Sequence, residues 1–186
     1  MIEPFRRVSA TGIEVTLDDH EREFLRDLVS QLVELVESSE PGAGESADPH
    51  ADELAAMVGI GTATHLPLDP TLARLFPDAY HDDAIAAGDF RRYTELRLRD
   101  RKARNAASTS ASLERSSPVV LDEAEIGAWL GTLNDLRLVL GTLLDVAEED
   151  DVEERLAEPE GDSYRVYLWL THLQGSFIEA LDEPPG

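Results

Sequence analysis

The stretch Ile126–Val146, IGAWLGTLNDLRLVLGTLLDV, decides the fold. At helical spacing Ile126, Trp129, Leu130, Leu133, Leu136, Leu140, Leu143 and Leu144 form one wide apolar stripe, and Leu138 and Val139 lie off it. A helix that is apolar on more than one side needs several neighbours, so this one is expected at the centre of a bundle. A second face carries Gly127, Gly131 and Gly141. Each glycine costs about 1 kcal/mol in a helix relative to alanine, and close approach by another helix is the expected return. Asn134, Asp135 and Arg137 interrupt the apolar surface and are a candidate buried polar network, in which a buried Arg137 needs an acidic or carbonyl partner. Such a network serves either as a polar site or as structural hydrogen bonding.

Working outward, Asp122 and Glu125 outline a capping box at the start of this helix, with Val119–Leu121 leading into it. Downstream, residues 145–160 hold nine acids against the single base Arg155, which reads as a solvated acidic face or a short helix. A last helix, Ser163–Leu181, is apolar nearly all round and is expected to pack on the central one or to bury a side in a homodimer; a short tail, 182–186, follows. Upstream, Phe5–Ser9 and Ile13–Leu17 flank Ala10-Thr11-Gly12 and predict a small β-hairpin within residues 1–17. Asp18 or Asp19 then opens an amphipathic helix to about Ser38, and residues 40–50 read as a flexible polar loop. The expected fold is therefore mainly α: a single-domain helical bundle over residues 1–186 with a small N-terminal β-hairpin.

Between these lie a short helix at Asp52–Val58 and a second one capped by Asp69, with Pro70 at its first position. Gly59-Ile60-Gly61 is no nucleotide fingerprint, because it follows a helical pattern and Thr64 replaces the third glycine. Asp78, His81, Asp82 and Asp83 gather metal-type ligands, but they match no known ligand spacing, and Asp82 is well placed to cap the next helix. No metal or other cofactor is expected, and no nucleophile elbow, phosphate loop or ordered triad marks an enzyme.

The helix from about Asp83 to Leu113 carries a charge shift. Within residues 91–104, Arg91, Arg92, Arg97, Arg99, Arg101, Lys102 and Arg104 oppose Glu95 and Asp100, a local +5 in a chain of −23. Such a helix can lie along DNA phosphates, dock an acidic protein, or pair internally with the chain's own acidic helices. The internal reading is preferred, because the rest of the chain carries −28; for docking, the candidate residues are Arg91, Arg92, Arg97, Arg99 and Arg101. Phe90 and Tyr93 are expected to pack rather than to stack on bases, and the Ser- and Thr-rich end of the helix to fray before Pro118.

Strong acidity argues against broad, charge-driven nucleic-acid binding. The 186 residues contain no cysteine, which rules out disulfides, thiolate metal sites and a thiol switch within them. The start of the chain has no apolar signal core and no run reaches membrane-spanning length, so a cytoplasmic location is expected.

Three blocks, RLFPDAY (Arg74–Tyr80), FRRYTE (Phe90–Glu95) and WLGTLNDLRLVLGT (Trp129–Thr142), resemble an actinobacterial family of unknown function. Some of its members are named oxidative-stress transcriptional regulators of the AosR type. The resemblance covers nearly the whole chain. It implies a cytoplasmic, non-enzymatic regulator that works through an alternative sigma factor and promotes genes of sulfur assimilation and cysteine supply. A sensor of that kind that closes an intramolecular disulfide needs two cysteines, so that form of sensing does not transfer to this sequence.

Overall fold

The computed structural model describes residues 3–38, 65–80 and 82–184. Among them are six helices and a three-stranded sheet: β1 (Phe5–Ser9), β2 (Gly12–Val15), α1 (Asp19–Ser38), α2 (Pro70–Leu75), α3 (Ala84–Glu114), β3 (Val119–Leu121), α4 (Glu123–Leu143), α5 (Val152–Ala157) and α6 (Gly161–Asp182). The mainly α expectation holds. The loop 40–50, the short helix 52–58, Gly59–Gly61 and His81 lie outside the described residues. Two compact units form, residues 1–33 with 104–186 and residues 34–103, and α1 and α3 contribute to both.

In the first unit the hairpin is joined by a third strand. Ile13, Glu14 and Val15 of β2 pair antiparallel with Leu121, Val120 and Val119 of β3. A lone hairpin is marginal in water, and the third strand with α4 and α6 behind it supplies the missing cover. The core is aromatic at its centre: Phe5 meets Trp129 edge-on at 5.8 Å and Phe177 at 4.5 Å. Leu121, Leu133, Leu170 and Leu173 are buried around them. Burying the Trp129 indole leaves an N–H to satisfy. It donates to Ser112 Oγ (2.7 Å), which donates in turn to the Thr109 carbonyl (2.7 Å), while the Thr109 hydroxyl meets that of Thr132 at 3.1 Å. These bonds hold α3 helical to Glu114, so the expected fraying does not occur.

The central helix differs from its reading in two respects. Its C-terminal end is less enclosed than the stripe suggests, with Leu143 exposed and Leu140 and Leu144 half-buried. Its glycines also do not line a backbone-to-backbone seam. Gly127 has open space where a Cβ would stand, Gly131 faces the Asn105 side chain, and Gly141 faces the Tyr167 ring. The capping box at Asp122 and Glu125 is present in both directions.

Arginines reach helix C-termini throughout this unit. Arg7 donates to the carbonyls of Ala10 and Leu181, Arg22 to those of Leu113 and Arg115, and Arg155 to that of Leu144. Arg155 also meets Asp150 and Glu158 and lies over the Tyr164 ring, so the single base of the acidic segment ties it to α6.

At the start of α6, a Cβ on Gly161 would stand 2.3 Å from the Leu156 carbonyl oxygen, whereas Gly175 in mid-helix has nothing within 4 Å. Gly161→Ala is expected to lower stability by about 1–3 kcal/mol, because backbone rather than a movable side chain blocks it. Gly175→Ala should raise stability by about 0.5–1 kcal/mol. Urea unfolding of the two variants followed by tryptophan fluorescence checks the opposite signs.

Candidate functional site

The second unit places the sequence's basic helix in context. Asp69 caps α2, accepting from the backbone N–H groups of Thr71 (2.8 Å) and Leu72 (3.0 Å). The bond from the Leu72 N–H holds its carboxyl below the ordinary carboxylate range, outweighing the opposing effect of burial, and the bonds from Thr71 add to it. α2 ends at Phe76, whose ring is buried. Asp83, not Asp82, then caps α3, accepting from the N–H groups of Ile85 and Ala86.

On the inner face of α3, Arg91, Glu95 and Arg99 stand four residues apart and are all buried. Glu95 accepts from Arg91 Nη1 (2.7 Å) through one oxygen and from Arg99 Nε (2.9 Å) and Nη2 (2.7 Å) through the other. Arg91 Nη2 donates to the Phe76 carbonyl (3.0 Å) and to Asp78 (2.6 Å). Arg99 Nη1 donates to the Val36 carbonyl near the end of α1 (3.0 Å), and its guanidinium lies 4.2 Å above the Phe76 ring. Burial alone would weaken the charge of Arg91, but its bonds to Asp78 and Glu95 outweigh that and raise its pKa. Two cations and two carboxylates balance, and the cluster ties the ends of α1 and α2 to α3.

Of the five arginines proposed for docking, Arg91 and Arg99 are therefore corrected: both are buried in internal ion pairs and present no surface. Their pairing is internal, though with Glu95 of the same helix and Asp78 rather than with the chain's acidic helices. Arg92 is half-buried, and Arg97 and Arg101 are exposed. Phe90 and Tyr93 are 47 % and 55 % exposed. At 100° per residue, Phe90, Tyr93, Arg97 and Arg101 fall within about 80° of one another, on the face opposite the buried cluster. Tyr80 packs edge-on against Phe90 with centroids 6.0 Å apart. Beside them lies a small cleft of about 20 Å³ lined by Phe76, Pro77, Phe90, Arg91, Glu95 and Leu98, among others. Arg91 Nε, buried there, has no hydrogen-bond partner.

The other candidate, Asn134–Asp135–Arg137, does not form one buried network. Asn134 is exposed, Asp135 is buried, and Arg137 is half-buried. Arg137 finds its partners on α6, donating to Thr171 Oγ1 (3.0 Å) and Gln174 Oε1 (2.5 Å), with the Tyr167 ring beneath it. This is helix-to-helix hydrogen bonding. Asp78 of the supposed metal cluster is held by Arg91, and among the described residues no group of three His, Asp or Glu side chains is placed to hold a metal ion. Nor is any described helix long and apolar enough to cross a membrane.

The chain belongs to the family described as Domain of unknown function (DUF2017), whose model matches residues 2–181. It is similar to the putative oxidative stress regulator AosR of Mycobacterium leprae (strain TN), 34% identical over 178 residues that cover 87% of this chain and 79% of that protein. The oxidative stress regulators AosR of Mycobacterium bovis (strain ATCC BAA-935 / AF2122/97) and Mycobacterium tuberculosis (strain ATCC 25618 / H37Rv) are each 31% identical over 183 residues, 89% of this chain and 80% of theirs. No solved structure matches the chain.

Two predictions test this geometry. Removing the shared carboxylate with Glu95→Ala leaves two buried guanidinium groups without their common partner, and a loss of about 3–5 kcal/mol in urea unfolding is expected; a loss within experimental error would show that the cluster holds nothing together. For Asp69 the folded state has the lower pKa, so its contribution is present at neutral pH and disappears as pH falls through the folded value. The stability gap between the protein and Asp69→Ala should thus be about 1 kcal/mol at neutral pH and close in acid.

Proposed function

We propose that this protein is a regulator of the oxidative-stress type that acts by binding another protein, without catalysis and without a thiol switch. The observation that carries this reading is the similarity, over most of the chain, to proteins named oxidative stress regulators. The absence of cysteine from all 186 residues supports a signal other than disulfide formation within the chain. The resemblance noted in the sequence makes an alternative sigma factor the first partner to examine. Of the docking residues read from the sequence, Arg97 and Arg101 are the exposed ones that share a face, and they are the surface proposed for it.

Direct DNA binding is the weaker reading. Phosphate-driven affinity scales with the number of cations that reach the backbone, and the burial of Arg91 and Arg99 removes two of them from a chain already at −23. The test is capture of partners by the tagged protein from its native lysate, with and without nuclease, identified by mass spectrometry. A sigma factor or RNA polymerase retained after nuclease treatment is expected. Its loss on nuclease treatment would point to nucleic acid as the ligand, and recovery of the bait alone would remove the transcriptional reading.

A further inference from the structure

The outer face of α3 has a chemistry specific enough to describe its occupant. Arg97 and Arg101 stand one helical turn apart, about 6 Å along the axis, and both are exposed. N-terminal to them on the same face, Phe90 and Tyr93 expose about half their surface, and Tyr80 extends this apolar end. The charge of this face is opposite to that of the chain as a whole. The Phe90 ring also lines the small cleft between the Phe76–Ala79 turn and α3, which has room for about one water and none for a side chain or ligand.

We propose that this face binds an acidic amphipathic helix of a partner protein. Aliphatic side chains of that helix would pack on the exposed rings of Phe90 and Tyr93, and carboxylates one turn apart would pair with Arg97 and Arg101. The inference rests on the protein-contact reading above and adds to it the chemistry of the partner. Charge complementarity selects the occupant. Two cations one turn apart match the i, i+4 spacing of acids on a helix, and aromatic rings beside them supply the apolar anchor that such interfaces need. A duplex is a poorer fit, because it requires many phosphate contacts and must approach a strongly negative molecule.

The probe is a fluorescein-labelled helical peptide with glutamates at i and i+4 and leucines one turn N- or C-terminal to them, titrated with the intact protein and followed by anisotropy. Saturable binding that weakens with salt is expected. Arg97→Glu with Arg101→Glu should weaken it about tenfold or more, and Phe90→Ala with Tyr93→Ala by a similar factor, with circular dichroism unchanged. Equal binding by the charge-reversed protein would overturn the surface. Equal binding of a peptide with lysines in place of the glutamates would overturn the acidic chemistry. Displacement of the peptide by duplex DNA at low salt would favour nucleic acid instead. Should the peptide fail to bind while the nuclease-resistant partner is still captured, this inference falls and the regulator reading stands.

Discussion

The constraint on which the described structure depends is the satisfaction of helix C-terminal carbonyls by arginines from elsewhere in the chain. A helix leaves its last carbonyls without intrahelical donors, and they sit at the negative end of its dipole. The long helices α1, α3, α4 and α6 have no basic residue in their own last turns. Arg99 reaches Val36 near the end of α1, Arg91 reaches Phe76 at the end of α2, Arg22 reaches Leu113 and Arg115 around the end of α3, Arg155 reaches Leu144 after α4, and Arg7 reaches Leu181 in α6. One planar cation with several donors can hold a carbonyl and a carboxylate together, which lysine does less well. The near-exclusive use of arginine, with Lys102 as the one lysine, has this structural counterpart.

The same constraint separates structural from available charge. In a chain with 16 bases and 39 acids, five arginines are committed to helix ends, and those five cannot also define an outer surface. The window 91–104 looks uniformly basic in sequence, yet it divides by helical face. Arg91 and Arg99 turn inward to Glu95, while Arg97 and Arg101 turn outward. A buried ionic cluster is weak evidence of stability in itself, because desolvation offsets much of its attraction. Its effect here is geometric: shared donors fix the Phe76–Asp78 turn against α3, and with it the cleft beside Phe90.

Most of the helical framework was legible in the sequence, because it is written locally. The apolar repeat of 126–144, the Asp122–Glu125 box, Asp69 before Pro70 and the hairpin around Gly12 each depend on neighbours a few residues away, and each appears close to its expected place. What was hidden is non-local or depends on solvent. β3 is only three residues long, and its pairing with β2 is what makes it a strand. The Ser and Thr residues at the end of α3 look like helix breakers until Trp129 provides a partner for Ser112. Residue type does not report burial, so Asn134, Asp135 and Arg137 read as one group although a helix turns them to different surroundings.

For the candidate site one signal was present and carried more than the count of charges. Arg91, Glu95 and Arg99 repeat at four-residue spacing with opposite signs, a pattern that places all three on one face and neutralises most of their charge locally. Residues on that face are poor candidates for contact with a partner, and the outward set follows by rotation: Phe90, Tyr93, Arg97 and Arg101. Two aromatic rings left half-exposed beside two cations are costly for a soluble surface, since apolar area in water is unfavourable and the nearby charges limit how far the rings can pack inward. The internal cluster gives Arg91 and Arg99 a structural reason to be there. Nothing within the described fold gives one to the outer face, and that difference directs the search for function to it.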